Sequence, residues 1–129
     1  MILKVESVFS CAHFYSQPLW SEKRNVETFG RCHTPYGHGH NYRLEVEFYV
    51  SREGVFKEKK YYQAIINELT EKIDHEHLNF SVPEFINKNP TTENITIYFF
   101  EKLKFIIDQK KIATLRVFEM DSLWVELVQ

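Results

Sequence analysis

Cysteine, glycine and proline are scarce in this chain: two, four and four of them in 129 residues. So little Gly and Pro excludes low-complexity and collagen-like sequences, and with 43% hydrophobic residues it excludes intrinsic disorder as well. Cys11 and Cys32 can form at most one bridge, which rules out a disulfide framework; in a reducing compartment each is treated as a free thiol. An excess of one charge is also missing. Sixteen Lys and Arg against eighteen Asp and Glu leave a formal charge of −2, so no global field draws in nucleic acid or an anionic membrane. Any anionic ligand has to be held locally. Long apolar runs are absent too: "MILKVESVFS" is interrupted at Lys4 and Glu6, unlike a signal peptide, and no segment approaches a membrane span. The expectation is one soluble, cytoplasmic domain over residues 1–129, with neither nucleic acid nor membrane as partner.

Aromatic residues, by contrast, are plentiful, with eleven Phe and seven Tyr. In "YRLEVEFYV", residues 42–50, Tyr42, Leu44, Val46, Phe48 and Val50 alternate with Arg43, Glu45, Glu47 and Tyr49, which predicts a half-buried strand. Residues 2–10 read as a first strand, and a long polar connection, residues 14–37, separates the two; loops of that length usually carry function. Tyr62, Ile65, Ile66, Leu69 and Ile73 fall at helical spacing within 57–73. A second helix follows Pro90, with Thr91 or Thr92 as N-cap, Glu93 in its first turn, and Ile95, Tyr98, Phe99, Leu103 and Ile106 on one face. "TLRVFEM" and "SLWVELV" form a closing hairpin. The order ββααββ predicts an α+β fold, an antiparallel sheet with its helices on one face. A sheet this small has edges that invite pairing with neighbouring subunits.

The chemistry concentrates in "FGRCHTPYGHGHNY", residues 29–42. If the second strand begins there, His38 and His40 share one face, two residues apart, and form a workable chelate; His13, ending the first strand in "FSCAHF", can supply a third imidazole. Three histidines with an open fourth position describe a catalytic zinc site, although imidazoles also suit iron, copper or nickel. The plainer alternative is a pair of loop histidines flanked by flexible Gly37 and Gly39. Cys32 can be a fourth ligand, a nucleophile, a base or an inert buried thiol; its neighbours Arg31 and His33 favour a thiolate and so a general base. Cys11 lies in a hydrophobic strand and reads as core. Asp74 and His75, at the end of the first long helix, form a possible acid/base pair, or else His75 simply complements the helix dipole. Glu119 shares the inward parity of Leu115 and Val117, so unless it lies in solvent at the strand end it needs a cation or an N–H-rich ligand.

"FSCAHF", "NVETFGRCHTPYGHGHNY", "IDHEHLN", "PTTENI" and "VFEMDS" occur in the order and approximate spacing of one family. Over about residues 5–128 the chain resembles the 6-pyruvoyltetrahydropterin synthase and 6-carboxytetrahydropterin synthase family. The resemblance implies a tunnelling fold: a four-stranded antiparallel sheet with two helices on one side, its subunits joined sheet to sheet into a barrel, commonly as a hexamer of two trimers with active sites at subunit interfaces. It implies that His13, His38 and His40 hold zinc, that Cys32 is the proton acceptor and that Asp74 and His75 are the partner acid/base pair. Glu119 matches the carboxylate that anchors the pterin, and Thr91, Thr92 and Glu93 match positions at or near the pterin pocket.

The implied activity is a zinc-dependent lyase converting 7,8-dihydroneopterin triphosphate to 6-pyruvoyltetrahydropterin with loss of triphosphate. Two alternatives stand beside it: a 6-carboxytetrahydropterin synthase of queuosine (deazapurine) biosynthesis, and a catalytically silent pterin-binding module. Five residues separate Cys32 from His38, as in the pyruvoyl-forming branch. The chain departs from the family in lacking a "TGMV" hairpin before the first long helix, where it has "REGVFKEKKYY", and in carrying Met120 where many members have Thr.

Overall fold

A computed structural model describes residues 1–129. Its chain order is β1 (Ile2–His13), α1 (Glu22–Phe29), β2 (His38–Tyr49), α2 (Val55–Glu71), β3 (Glu76–His77), α3 (Leu78–Ser81), α4 (Thr92–Lys104), β4 (Ile112–Met120) and β5 (Leu123–Val128). One sheet runs in the order β3-β1-β2-β4-β5. The four long strands are antiparallel, as the α+β expectation requires; a fifth, the two-residue β3, pairs in parallel with Cys11 and Ala12 of β1. No helix is long and apolar enough to cross a membrane.

Strand alternation builds the core. Val5, Phe9 and Cys11 of β1, Tyr42, Leu44, Val46 and Phe48 of β2, and Leu115 and Val117 of β4 all turn to the buried face. There they meet Tyr62, Ile65, Ile66 and Leu69 of α2 and Ile95, Phe99 and Leu103 of α4. Each such side chain contributes roughly 1.5–3 kcal/mol by leaving water. The predicted apolar face of α4 fails only at its end. The helix stops at Lys104, so Ile106 is exposed and Ile107, one position further, is buried in its place.

The other face of the sheet carries charge. Glu45 is only 6% exposed there, yet it accepts from Arg43 at 2.9 Å and lies 3.5 Å from Lys4. Arg116 spans Glu47 and Glu126 across three strands. Both sheet edges stay largely open: β5 has no outer neighbour, and β3 covers β1 only at Cys11 and Ala12.

The connection 14–37 is not the loop expected from sequence; it contains α1. Apolar periodicity could not find this helix, because its one buried residue is Asn25. That amide accepts from Gln17 N–H and donates to the carbonyls of Gln17 and Ser21, while Ser21 caps the helix by accepting from Arg24 N–H. Trp20 stacks on Phe29, with Arg24 over the indole at 3.9 Å.

After the Gly30–His33 3-10 turn, the chain reaches β2 through Gly37, whose φ is +66°. A Cβ there would lie 1.6 Å from the carbonyl oxygen of His13, so only glycine lets β2 start against the end of β1. At Gly39 the nearest atom to such a Cβ would be 3.5 Å away, an ordinary contact. Gly37→Ala should therefore destabilise the fold by at least about 1–3 kcal/mol from backbone strain alone, and Gly39→Ala should be far milder. Chemical denaturation of both variants tests this, and equal losses would contradict it.

Candidate functional site

The β1–β2 register places His13 opposite His38 and Cys11 opposite His40. Because odd positions of β1 and even positions of β2 share the buried face, His13, His38 and His40 all project from one end of the core layer. Their ring centroids lie 4.5–4.9 Å apart pairwise. His13 is fully buried, and burial, reinforced by His40, His38 and His77, pushes its pKa down to about 3, which leaves it neutral with a lone pair to offer. His40 is likewise lowered, chiefly by burial.

Two sets of donor atoms form around His13. In one, Cys32 Sγ stands 4.0 Å from His13 Nε2 and 3.9 Å from His38 Nε2. In the other, a Glu119 carboxylate oxygen lies 3.7 Å from His13 Nε2 and 3.5 Å from His40 Nε2. Within each set the ligand atoms lie no more than 4.8 Å apart, close enough to share one ion. Imidazoles joined by a carboxylate and a thiol fit zinc. Two of the nitrogens facing away from the cluster are already engaged: His13 Nδ1 with the Tyr42 hydroxyl at 2.7 Å, and His38 Nδ1 with the Arg31 carbonyl at 3.3 Å.

Glu119, expected to anchor a pterin, is turned toward the imidazoles and is only 9% exposed. Cys32 departs from the expectation of an activated thiolate. Burial and then the Glu119 charge raise its pKa, and no hydrogen bond or ion pair joins it to Arg31 or His33. His33 instead bridges the Tyr15 carbonyl and the Glu22 carboxylate, which removes it from the ligand set. Cys11 is core as expected, its thiol donating to the Ile73 carbonyl and pushed up to about 12 by burial.

No hydrogen bond or ion pair joins Asp74 or His75 to Cys32 within one chain. Asp74 accepts from Ser10 N–H at 2.8 Å and the His75 N–H donates to the Ser10 carbonyl, so the pair clamps β1 by its backbone. His75 holds a left-handed φ of +62°, uncommon without glycine, and its side chain is 82% exposed. It borders a cleft of about 390 Å³ whose lining also includes Ser10, Gly39, Asn41 and His40 of the histidine cluster. Asp74 and His75 are 3.5 Å apart, Oδ2 to Nε2.

Thr91 caps α4 by accepting from Asn94 N–H, and Thr92 is buried, so of the "TTE" run only Glu93 is exposed. Sequence reasoning missed two residues. Tyr15 stacks on His13 at 4.6 Å, and its phenol pKa is raised by burial and then by Glu119, Cys32 and Glu93, which ties all three to this end of the sheet. The other is Tyr42, which the alternation pattern classed simply as core.

The comparisons agree with this architecture. The family model described as 6-pyruvoyl tetrahydropterin synthase matches residues 2–129. The 6-pyruvoyl tetrahydrobiopterin synthase of Poecilia reticulata is 31% identical over 125 residues, covering 94% of this chain and 84% of the relative. A putative 6-carboxy-5,6,7,8-tetrahydropterin synthase of Archaeoglobus fulgidus is 28% identical over 131 residues, covering 98% and 95%. The solved Caenorhabditis elegans 6-pyruvoyl tetrahydropterin synthase superposes with a TM-score of 0.84 at 28% identity, covering 100% of this chain and 95% of that one. With the fold and nearly the full length in agreement, this chain belongs to the 6-pyruvoyl tetrahydropterin synthase family.

Proposed function

We propose that this protein is a zinc-dependent lyase that converts 7,8-dihydroneopterin triphosphate to 6-pyruvoyltetrahydropterin and releases triphosphate. The observation that carries the reading is the convergence of His13, His38 and His40 beside Cys32 and Glu119, in a chain that matches the family over residues 2–129. His13, His38 and His40 would hold the zinc, which supplies a Lewis acid for the hydroxyls of the substrate side chain.

The chain's own residues account for the proton movements. Cys32 takes a proton from a side-chain carbon; its sulfur stands about 4 Å from two candidate ligands, so a cation held there offsets the burial that otherwise keeps the thiol protonated. Proton return, with His75 and Asp74 as the acid/base pair, lets the triphosphate leave as the side chain rearranges internally, so no external oxidant or reductant is required. Glu119 and the exposed Glu93 supply carboxylates for the N–H groups of the pterin, with Thr91 and Thr92 setting the start of α4 behind Glu93.

Because no contact joins Cys32 to the Asp74–His75 pair in one chain, the reading takes a homo-oligomer in which one subunit lends His75 to another's Cys32. The two open sheet edges support such pairing, and a hexamer of two trimers with a closed barrel in a cytoplasmic setting is the assembly we favour. The full-length similarity to the Archaeoglobus protein supports a second reading, in which the same site cleaves a carbon–carbon bond to give 6-carboxytetrahydropterin.

Incubation with dihydroneopterin triphosphate, followed by product mass, separates the two. The expected product is the pyruvoyl compound together with free triphosphate; the carboxy compound would install the second reading, and substrate recovered intact from zinc-loaded protein would leave only a binding module. Cys32→Ala should lower kcat by about 10²–10⁴-fold with zinc content retained, and unchanged turnover would remove Cys32 as the base. Cys32→Ala and His75→Ala, each inactive alone, should regain activity when unfolded and refolded together; persistent inactivity in mixed oligomers would contradict a shared site.

A further inference from the structure

Tyr42 occupies a core position in β2, between His40 and Leu44 on the buried face, and is 1% exposed. Its ring stacks on Phe9 at 5.1 Å with an interplanar angle of 8°, a role that phenylalanine would fill equally well. What phenylalanine lacks is the hydroxyl, whose hydrogen-bond partner is His13 Nδ1 at 2.7 Å. A buried phenol is kept only with a partner, and this one has chosen a fully buried imidazole.

The two nitrogens of His13 are thereby divided. Nδ1 faces Tyr42, while Nε2 faces the cluster, 4.0 Å from Cys32 Sγ and 3.7 Å from Glu119. His38 is divided in the same sense, but its Nδ1 rests on a backbone carbonyl. Of these two orienting contacts, only the one to His13 comes from a side chain.

We infer that Tyr42 is a positioning residue for the metal site, its hydroxyl oxygen accepting from His13 Nδ1–H and so fixing the tautomer that turns the Nε2 lone pair toward the ion. The inference rests on the zinc reading of the histidine cluster. A neutral imidazole carries one ring proton, so ligation through Nε2 requires that proton on Nδ1, and in a dry pocket it needs an acceptor. Without an ion the hydroxyl can rotate and donate to Nδ1 instead, leaving the ring proton on Nε2 beside Glu119. Loss of the hydroxyl therefore falls more heavily on the metal-loaded form: both forms lose the partner of Nδ1, but the metal-free ring can move its proton to Nε2 beside Glu119, whereas the loaded ring cannot.

Tyr42→Phe should raise the zinc dissociation constant, measured by competition with a chromophoric chelator, by about 10–100-fold. The denaturation midpoint should fall in the metal-free protein as well, because His13 Nδ1 loses its buried partner there too, but by less than in the zinc-loaded protein. A variant that binds zinc as tightly as the parent overturns the inference. Long-range ¹⁵N–¹H correlation spectra of the zinc-loaded parent give a readout that needs no variant: His13 should be protonated on Nδ1 with Nε2 on the metal, and the opposite assignment overturns the role of Tyr42. A parent that takes up no zinc overturns the metal reading itself, and this inference with it.

Discussion

The antiparallel register of β1 on β2 is the constraint from which the site follows. Facing His13 with His38, and Cys11 with His40, it puts three imidazoles on one side of the sheet within a ring's width of each other. A slip of one residue would send His38 and His40 to the charged face and Tyr42, Leu44, Val46 and Phe48 into water, so the pairing that fills the hydrophobic core is also the one that gathers the histidines. Gly37 guards the register at its open end, where no side chain fits against the His13 carbonyl.

Burial at that end of the core sets the electrostatics. His13 is held neutral, and Cys32 is pushed away from its thiolate by burial and by Glu119. Glu119, almost buried, finds its nearest partners in His13 and His40. Imidazoles, a thiol and a carboxylate gathered at one buried end of the sheet are donor types compatible with a metal ion. Asp74 and His75, meanwhile, grip the Ser10 backbone and leave the His75 imidazole exposed beside β1.

Much of this was legible in the residues. Alternation in 42–50 and the spacing of Tyr62, Ile65, Ile66 and Leu69 marked β2 and α2, since both bury one face, and the HxH pair showed its shared side as soon as a strand was drawn through it. The structure's departures have physical causes. α1 is pinned by the polar Asn25, which hydropathy cannot detect, although the Ser21 cap was a readable sign of it. The two-residue parallel β3 depends on where α2 ends in space, a tertiary matter. The neighbours Arg31 and His33 pointed to a thiolate at Cys32, but sequence proximity does not decide which groups face the sulfur. Tyr42 looked like core because its ring is core; only coordinates reveal where its hydroxyl goes.

The central claim is that three imidazoles from two paired strands hold the metal and that the thiol beside them stays free to move a proton. Zinc K-edge X-ray absorption on the zinc-loaded protein tests it most directly. The account predicts a first shell of nitrogen and oxygen at about 2.0–2.1 Å, with imidazole outer-shell scattering and no sulfur. A sulfur scatterer at about 2.3 Å would put Cys32 on the metal and contradict its role as the base.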